Sequence, residues 1–327
     1  MKQNKQKEEE FYAKDFNFSY SSLNKLLFSP SLFYKDYILW DRELRTDKHL
    51  VEGKLVHCLL FEPENVNEKF NVAPGKSPSD NIRKVMKDMS LHTDAETLEF
   101  CEFQALASLK TLNLFQSLKT DEQRLKKVVN EDNEPYWKFI SNSNVDVVDQ
   151  DTLLRCEERV EILKNNKDVM SLFEEVTTDF DLDPIETHSE KYLKSKLNDS
   201  SFGLHGYIDY YKVDSDKKQV TICDLKTTGK TISDFKDTID FYNYWLQAAI
   251  YMKLVYDTLG VDADEYDMLF KFIVIDTYNQ VYVFDVSRET MGRWADGFGG
   301  AIKTAEFHYN SRNFSLPIEF LTNKVTL

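Results

Sequence analysis

GLHGYIDYYKVDSDKKQVTICDLKTT, residues 203–228, is the stretch from which the fold can be read. Tyr207, Ile208, Tyr210, Tyr211 and Val213 give aromatic and β-branched density before a polar Asp214-Ser215-Asp216-Lys217 segment, and Val220, Ile222 and Cys223 resume it afterwards. That pattern predicts a β-hairpin. A turn centred on Ser215 and Asp216 sets positions summing to about 431–433 opposite each other, making Asp209 and Asp224 cross-strand neighbours with Cβ atoms ~5 Å apart. Lys226, two residues beyond Asp224, projects from the same face. Two carboxylates at that range repel, and one would take up a proton unless a cation lay between them. A divalent ion resolves the conflict, and all-oxygen ligation favours Mg²⁺ or Mn²⁺ over zinc. A surface hairpin with an exposed Asp–Lys pair of little energetic value fits the same residues equally well. The rest of the chain has to separate the two.

The chain has 327 residues, 42% hydrophobic and 13% aromatic, enough for a substantial core and too apolar for disorder. It contains no run of 18 apolar residues that would span a membrane. The start, MKQNKQKEEEFYAKDF, is charged and lacks the apolar core of a secretory signal. Cys58, Cys101, Cys156 and Cys223 are scattered with no C-x-x-C pair, which argues against a disulfide framework or zinc site and for a reducing, intracellular location. A net charge of −15 counts against a generic nucleic-acid coat, because phosphate binding relies on Lys and Arg. It leaves room for an enzyme whose cationic surface is local or whose acidic site is filled by metal.

In chain order, residues 1–15 are expected as a flexible charged tail. Ser21 or Ser22 is expected to cap a short helix carrying Leu23, Leu26 and Leu27, and Ser29 a second one with Pro30 at its first position. Leu50, Leu55, Val56, Leu59 and Leu60 then recur at helical spacing up to Pro63. Gly53 costs that helix ~1 kcal/mol relative to alanine, which suggests a close backbone approach. His57 follows one turn later on the same face; a lone helical histidine is usually structural, with metal ligation by a neutral imidazole as the alternative. Between 64 and 180 helical patterns fall at Ile82–Met89, Asp94–Leu112 and Asp149–Asn165, with Asp149 as N-cap, and Tyr136–Ile140 reads as a strand. Acidic runs at 131–134 and 174–183 read as solvated surface. From Ile185 the sequence turns β-rich; Glu186 and Glu190 are expected at the surface, either being an alternative outer ligand. DFYNYWLQAAIYMKLVYDTLG is a strong helix in which Gln247 and Tyr251, at i and i+4, project together. A glutamine amid apolar residues asks for a partner. Residues 268–276 and 280–286 read as strands, and Thr290–Phe307 as an amphipathic helix.

A helix with G-x-x-x-H, a strand with G-Y-I-D, a strand with D-L-K-T-T and a helix with Q-x-x-x-Y, in that order, resemble the RecB-like PD-(D/E)XK nucleases. The opening S-S-L-x-x-L…S-P-x-x-F-Y and the segment G-K-L-V-H-C-L-L-F-E-P-E look most like the exonuclease VIII (RecE-like) branch, found in bacteria, phages and prophages. The resemblance runs from about Phe18 to Val286. It implies an α/β fold, a PD-(D/E)XK (restriction-endonuclease-like) core with a central mixed β-sheet flanked by helices. The expected organisation is a single domain over 16–327 with a helical insertion at about 64–180.

By the same resemblance, Asp209 and Asp224 bind a catalytic Mg²⁺ or Mn²⁺, with the Leu225 main-chain carbonyl and His57 as further ligands. Lys226 orients or activates the attacking water, Gln247 and Tyr251 approach the site and the DNA backbone, and Thr227 and Thr228 support them. The family's strand acid is often Glu where this chain has Asp224. The activity implied is a metal-dependent exonuclease on linear double-stranded DNA ends, in phage or bacterial recombination, in the cytoplasm (the host's, for a phage protein). A ring-shaped homo-oligomer and a single-strand annealing protein as partner follow from the resemblance alone. The alternatives are a structure-specific endonuclease and a catalytically silent nuclease-fold binding module. An iron–sulfur nuclease is disfavoured because the four cysteines do not flank the core.

Overall fold

The computed structural model describes residues 2–42, 47–95, 97–141, 145–173, 185–197, 200–322 and 324–325. Its strands are β1 (Asn17–Phe18), β2 (Phe70–Val72), β3 (Asp146–Val148), β4 (Glu186–Lys196), β5 (Gly203–Asp214), β6 (Gln219–Thr227), β7 (Asp267–Ile275) and β8 (Val281–Asp285). The chain divides into two units, Met1–Arg45 with Glu161–Leu327, and Thr46–Val160. The acidic run at 174–183 lies outside the described residues.

The first unit holds a mixed sheet in the order β1-β5-β6-β7-β8, with β4 also paired to β5. β5 and β6 form the expected antiparallel hairpin, from Asp214 opposite Gln219 to Tyr210 opposite Cys223. That is the register which aligns Asp209 with Asp224. β6 and β7 are parallel, so the chain must cross over between them. It does so through helices Phe235–Tyr242 and Tyr244–Leu259. The second of these shares one buried cluster with the sheet, in which Leu246, Ile250 and Leu254 join Ile222, Phe270 and Phe272. β6 is buried on both faces for most of its length, which is why it reads as a largely apolar run interrupted by Thr221, Asp224 and Lys226.

Residues expected as a charged tail include a helix, Lys2–Tyr12. Its Phe11 is buried, with ring centroids 4.7 Å from Phe16 and 6.1 Å from Tyr309. The next helix, Tyr20–Phe28, is capped by Ser19 and not by Ser21 or Ser22. Ser22 is instead the third helical residue, and its hydroxyl accepts the Ser19 N–H to close a capping box. Ser29 caps the Pro30–Phe33 helix as expected.

The second unit has its own core of Val85, Met86, Met89, Leu98, Cys101, Leu109, Val128 and Trp137, and a parallel pair, β2 with β3. Helices Asp80–Met89, Glu102–Thr111 and Asp121–Val128 surround that core. Tyr136–Ile140, expected as a strand, lies within the helix Glu134–Ser141. Its aromatic residues have β propensity, but Trp137 is fully buried and its indole N–H donates to the Ala95 carbonyl at 3.0 Å. Tertiary packing outweighs local preference there. Of the acidic run at 131–134, Glu131 and Asp132 are exposed, whereas Glu134 is half-buried and accepts the Leu98 N–H at 3.0 Å. Asp149 does cap the following helix, its Oδ1 accepting the Thr152 N–H at 2.7 Å. Among the described residues no helix is long and apolar enough to cross a membrane.

Candidate active site

The site begins where the hairpin ladder stops. Beyond Tyr210 and Cys223 the backbones of β5 and β6 no longer pair, and the Asp209 side chain bridges the opening. Its Oδ2 accepts the Leu225 N–H at 2.7 Å. Asp209 is 6% exposed and Asp224 is fully buried. Two carboxylates therefore lie inside the protein, one on each strand of the hairpin, as the register requires.

Lys226 projects from the Asp224 face and its ammonium pairs with the Asp224 carboxylate. The same ammonium lies 4.7 Å from the centroid of the Tyr244 ring. Burial by itself would lower the lysine's pKa, but the Asp224 and Asp209 carboxylates outweigh it and hold the group above its ordinary value. Lys226 is thus a positive charge held against Asp224, a placement that suits orientation and charge stabilisation.

Tyr244, Gln247 and Tyr251 occupy one stripe of the Tyr244–Leu259 helix, spaced i, i+3, i+7. The Gln247 amide donates to the Tyr251 hydroxyl at 2.7 Å, which answers the demand for a partner. Burial, then the charges of Asp209 and Asp224, raise the Tyr251 pKa well above the usual phenol value, so the residue carries an O–H and not a phenolate. Gly206, in the H-G-Y-I-D segment, makes room for that ring: a Cβ there would sit 3.2 Å from Tyr251 Cε1 and 3.3 Å from Leu254 Cδ1.

Gly206 thus faces the helix, and so do Tyr211 and Val213, which line a cavity with Val255 and Leu259. Strict alternation would put Gly206 and Tyr211 on opposite faces. The alternation is broken once between them, opposite Glu190 of β4, a non-glycine residue with φ of 46°. Glu190 drops out of the ladder between Ser189 opposite Tyr210 and Lys191 opposite Ile208. Such a left-handed residue costs about 1–3 kcal/mol and persists only where its surroundings enforce it. Its consequence is positional. A Glu190 carboxylate oxygen lies within 4.8 Å of one on Asp209. Glu186 stays exposed as expected, but Glu190 is half-buried, with Oε1 shut off from solvent. The expectation of surface placement for Glu190 is corrected.

The structure brings Asp209, Asp224, Leu225, Lys226, Gln247 and Tyr251 together within the first unit. His57 belongs to the second unit, on the Lys48–Phe61 helix, half-buried with its ring 6.2 Å from that of Phe61. Thr227 ends β6, and the Thr228 N–H donates to the Ile275 carbonyl at 3.0 Å as the chain leaves the sheet. Sequence reasoning missed Tyr244 and raised Glu190 only as an alternative outer ligand. Tyr244 could have been found as the residue that extends the Gln247–Tyr251 stripe by one turn. Tyr20, whose ring centroid is 6.5 Å from that of Tyr244, was also missed; its hydroxyl donates to the Tyr242 carbonyl.

The donor set fits a hard divalent cation. Asp209 and Asp224 are oxygen donors on rigid strands, sealed from water, where like charges are costly without a counter-ion.

Residues 17–283 match the family described as the PD-(D/E)XK nuclease superfamily. The chain belongs to that superfamily. No curated protein matches the sequence. Among solved structures, a crystal structure of a "Putative exonuclease" from Eubacterium rectale aligns with a TM-score of 0.46 and 10% identity, covering 99% of this chain and 91% of that one.

Proposed function

From membership of the PD-(D/E)XK superfamily, we propose that this protein is a Mg²⁺- or Mn²⁺-dependent exonuclease that hydrolyses phosphodiester bonds from the ends of linear double-stranded DNA. The observation that carries the reading is the buried Asp209–Asp224 pair with Lys226 held between Asp224 and the Tyr244 ring. An exposed ion pair would do none of this. Asp209 and Asp224 hold the cation, which supplies Lewis acidity and a more acidic water when bound. The Leu225 carbonyl is proposed as a further ligand. In an extended strand a residue's N–H and C=O share an edge, and the Leu225 N–H points to Asp209.

Lys226 places a positive charge where negative charge develops on the phosphate. Tyr251, kept protonated by burial and fixed by Gln247, presents a neutral O–H to the site. His57 is proposed as an additional ligand on the strength of its G-x-x-x-H helix alone. The RecE-like branch, a ring-shaped assembly, a role in phage or bacterial recombination beside an annealing protein, and a cytoplasmic setting belong to the same proposal, supported by the sequence motifs.

End-labelled linear duplex and covalently closed circular duplex incubated with Mg²⁺ test the reading. The linear DNA is degraded, the circle survives, and chelation or Lys226→Ala stops the reaction. Equal cutting of the circle refutes the exonuclease assignment in favour of an endonuclease.

A further inference from the structure

We propose that Glu190 is a third carboxylate of the cation site, holding the divalent ion on the β4 flank of Asp209; this rests on the nuclease reading given above. The register sets Glu190 directly across from Asp209, between Ser189 opposite Tyr210 and Lys191 opposite Ile208. Asp209 thereby lies between Glu190 on one neighbouring strand and Asp224 on the other. The carboxylate oxygens of Glu190 and Asp209 approach within 4.8 Å, the spacing of ligands around one ion.

One further observation points the same way. Glu190 holds a left-handed φ of 46° inside a β-ladder, a conformation that glycine, asparagine or aspartate adopts far more readily than glutamate. A residue chosen only for the backbone would be one of those; what glutamate adds is a carboxylate with reach.

In the absence of metal these like charges repel, so removing one relaxes the fold, whereas a purely structural glutamate would be missed. That opposition of signs gives the test. Mn²⁺ is titrated calorimetrically into the full chain and its Glu190→Gln, Glu190→Gly and Asp209→Asn variants, and thermal unfolding is followed with and without the ion. Gln keeps the size of the side chain; Gly suits the left-handed backbone. The expected result is Mn²⁺ affinity at least tenfold weaker in both Glu190 variants, a lost Mn²⁺-induced rise in Tm, and a metal-free Tm equal to or above that of the natural chain. Unchanged affinity in both variants overturns the assignment of Glu190 while leaving the nuclease reading intact, provided Asp209→Asn abolishes binding. Binding that Asp209→Asn leaves untouched overturns both.

Discussion

The Asp214–Lys217 pair at the hairpin turn and the Asp224–Lys226 pair at its far end use the same two residue types in one hairpin. At the turn the Lys217 ammonium sits 2.7 Å from Asp214 Oδ2 with the lysine side chain 67% exposed, and Asp214 Oδ1 accepts the Lys217 N–H at 2.9 Å. At the far end the side chains of Lys226 and Asp224 are 12% and 0% exposed. The first pair closes a turn with its lysine in water, where an ion pair contributes little. The second sits under Tyr244 and beside Asp209, in surroundings where an unneutralised charge is expensive. Residue type does not tell the pairs apart; the helix laid over the second one does.

The largest effect that sharpens this contrast is expected from the two lysines. Lys226→Ala should cut the turnover of linear duplex by about 10²–10³-fold. It should also lower metal-free stability by about 3–5 kcal/mol, because the buried Asp224 carboxylate loses its partner. Lys217→Ala should move stability by no more than about 0.5 kcal/mol and leave turnover as it was. Initial rates on labelled DNA and urea unfolding in EDTA read both quantities. Similar losses in the two variants would erase the distinction.

A smaller effect is expected from Gly206→Ala. The added methyl meets Tyr251 and Leu254, and overpacking of this kind costs about 1–3 kcal/mol. Because Tyr251 must shift to admit it, the rate should fall while the turn pair is untouched. A variant that keeps full activity would show that the position of Tyr251 is not critical.

The smallest effect concerns pH. Burial tends to raise the Asp214 pKa, but the hydrogen bonds and charge of Lys217 outweigh it, and the carboxyl sits below its ordinary value. A depressed carboxylate contributes stability that is full above its unfolded pKa and fades as pH falls through the folded one. Asp214→Asn should therefore flatten the acid side of the Tm-versus-pH curve below about pH 4 without altering the neutral-pH rate. An unchanged curve would remove Asp214 from the account of the turn.

Much of this was legible in the sequence because it depends on local rules. The hairpin register follows from the polar turn, the shared face of Asp224 and Lys226 from the two-residue period, and the Gln247–Tyr251 contact from the helical one. Glu190 was not legible, because nothing in EKYLKSK announces a left-handed residue, and alternation carried through it gives the wrong face for its neighbours. The strand reading of Tyr136–Ile140 failed for a related reason: Trp137 and its neighbours suit a strand in isolation, and only the Ala95 carbonyl and the surrounding core decide for a helix. The N-terminal residues read as tail because charges crowd Lys2–Glu10, while the anchor, Phe11, is a single side chain at the end of the helix.

The central claim is that the buried carboxylates of this hairpin form a metal-dependent nuclease centre. Its most direct test is the release of acid-soluble nucleotides from linear duplex DNA by the natural chain and by Asp224→Asn, with Mg²⁺ and with EDTA. The account predicts release by the natural chain in Mg²⁺ alone, and none from Asp224→Asn at a temperature where circular dichroism shows the variant folded. Equal release by the variant in Mg²⁺ would contradict it.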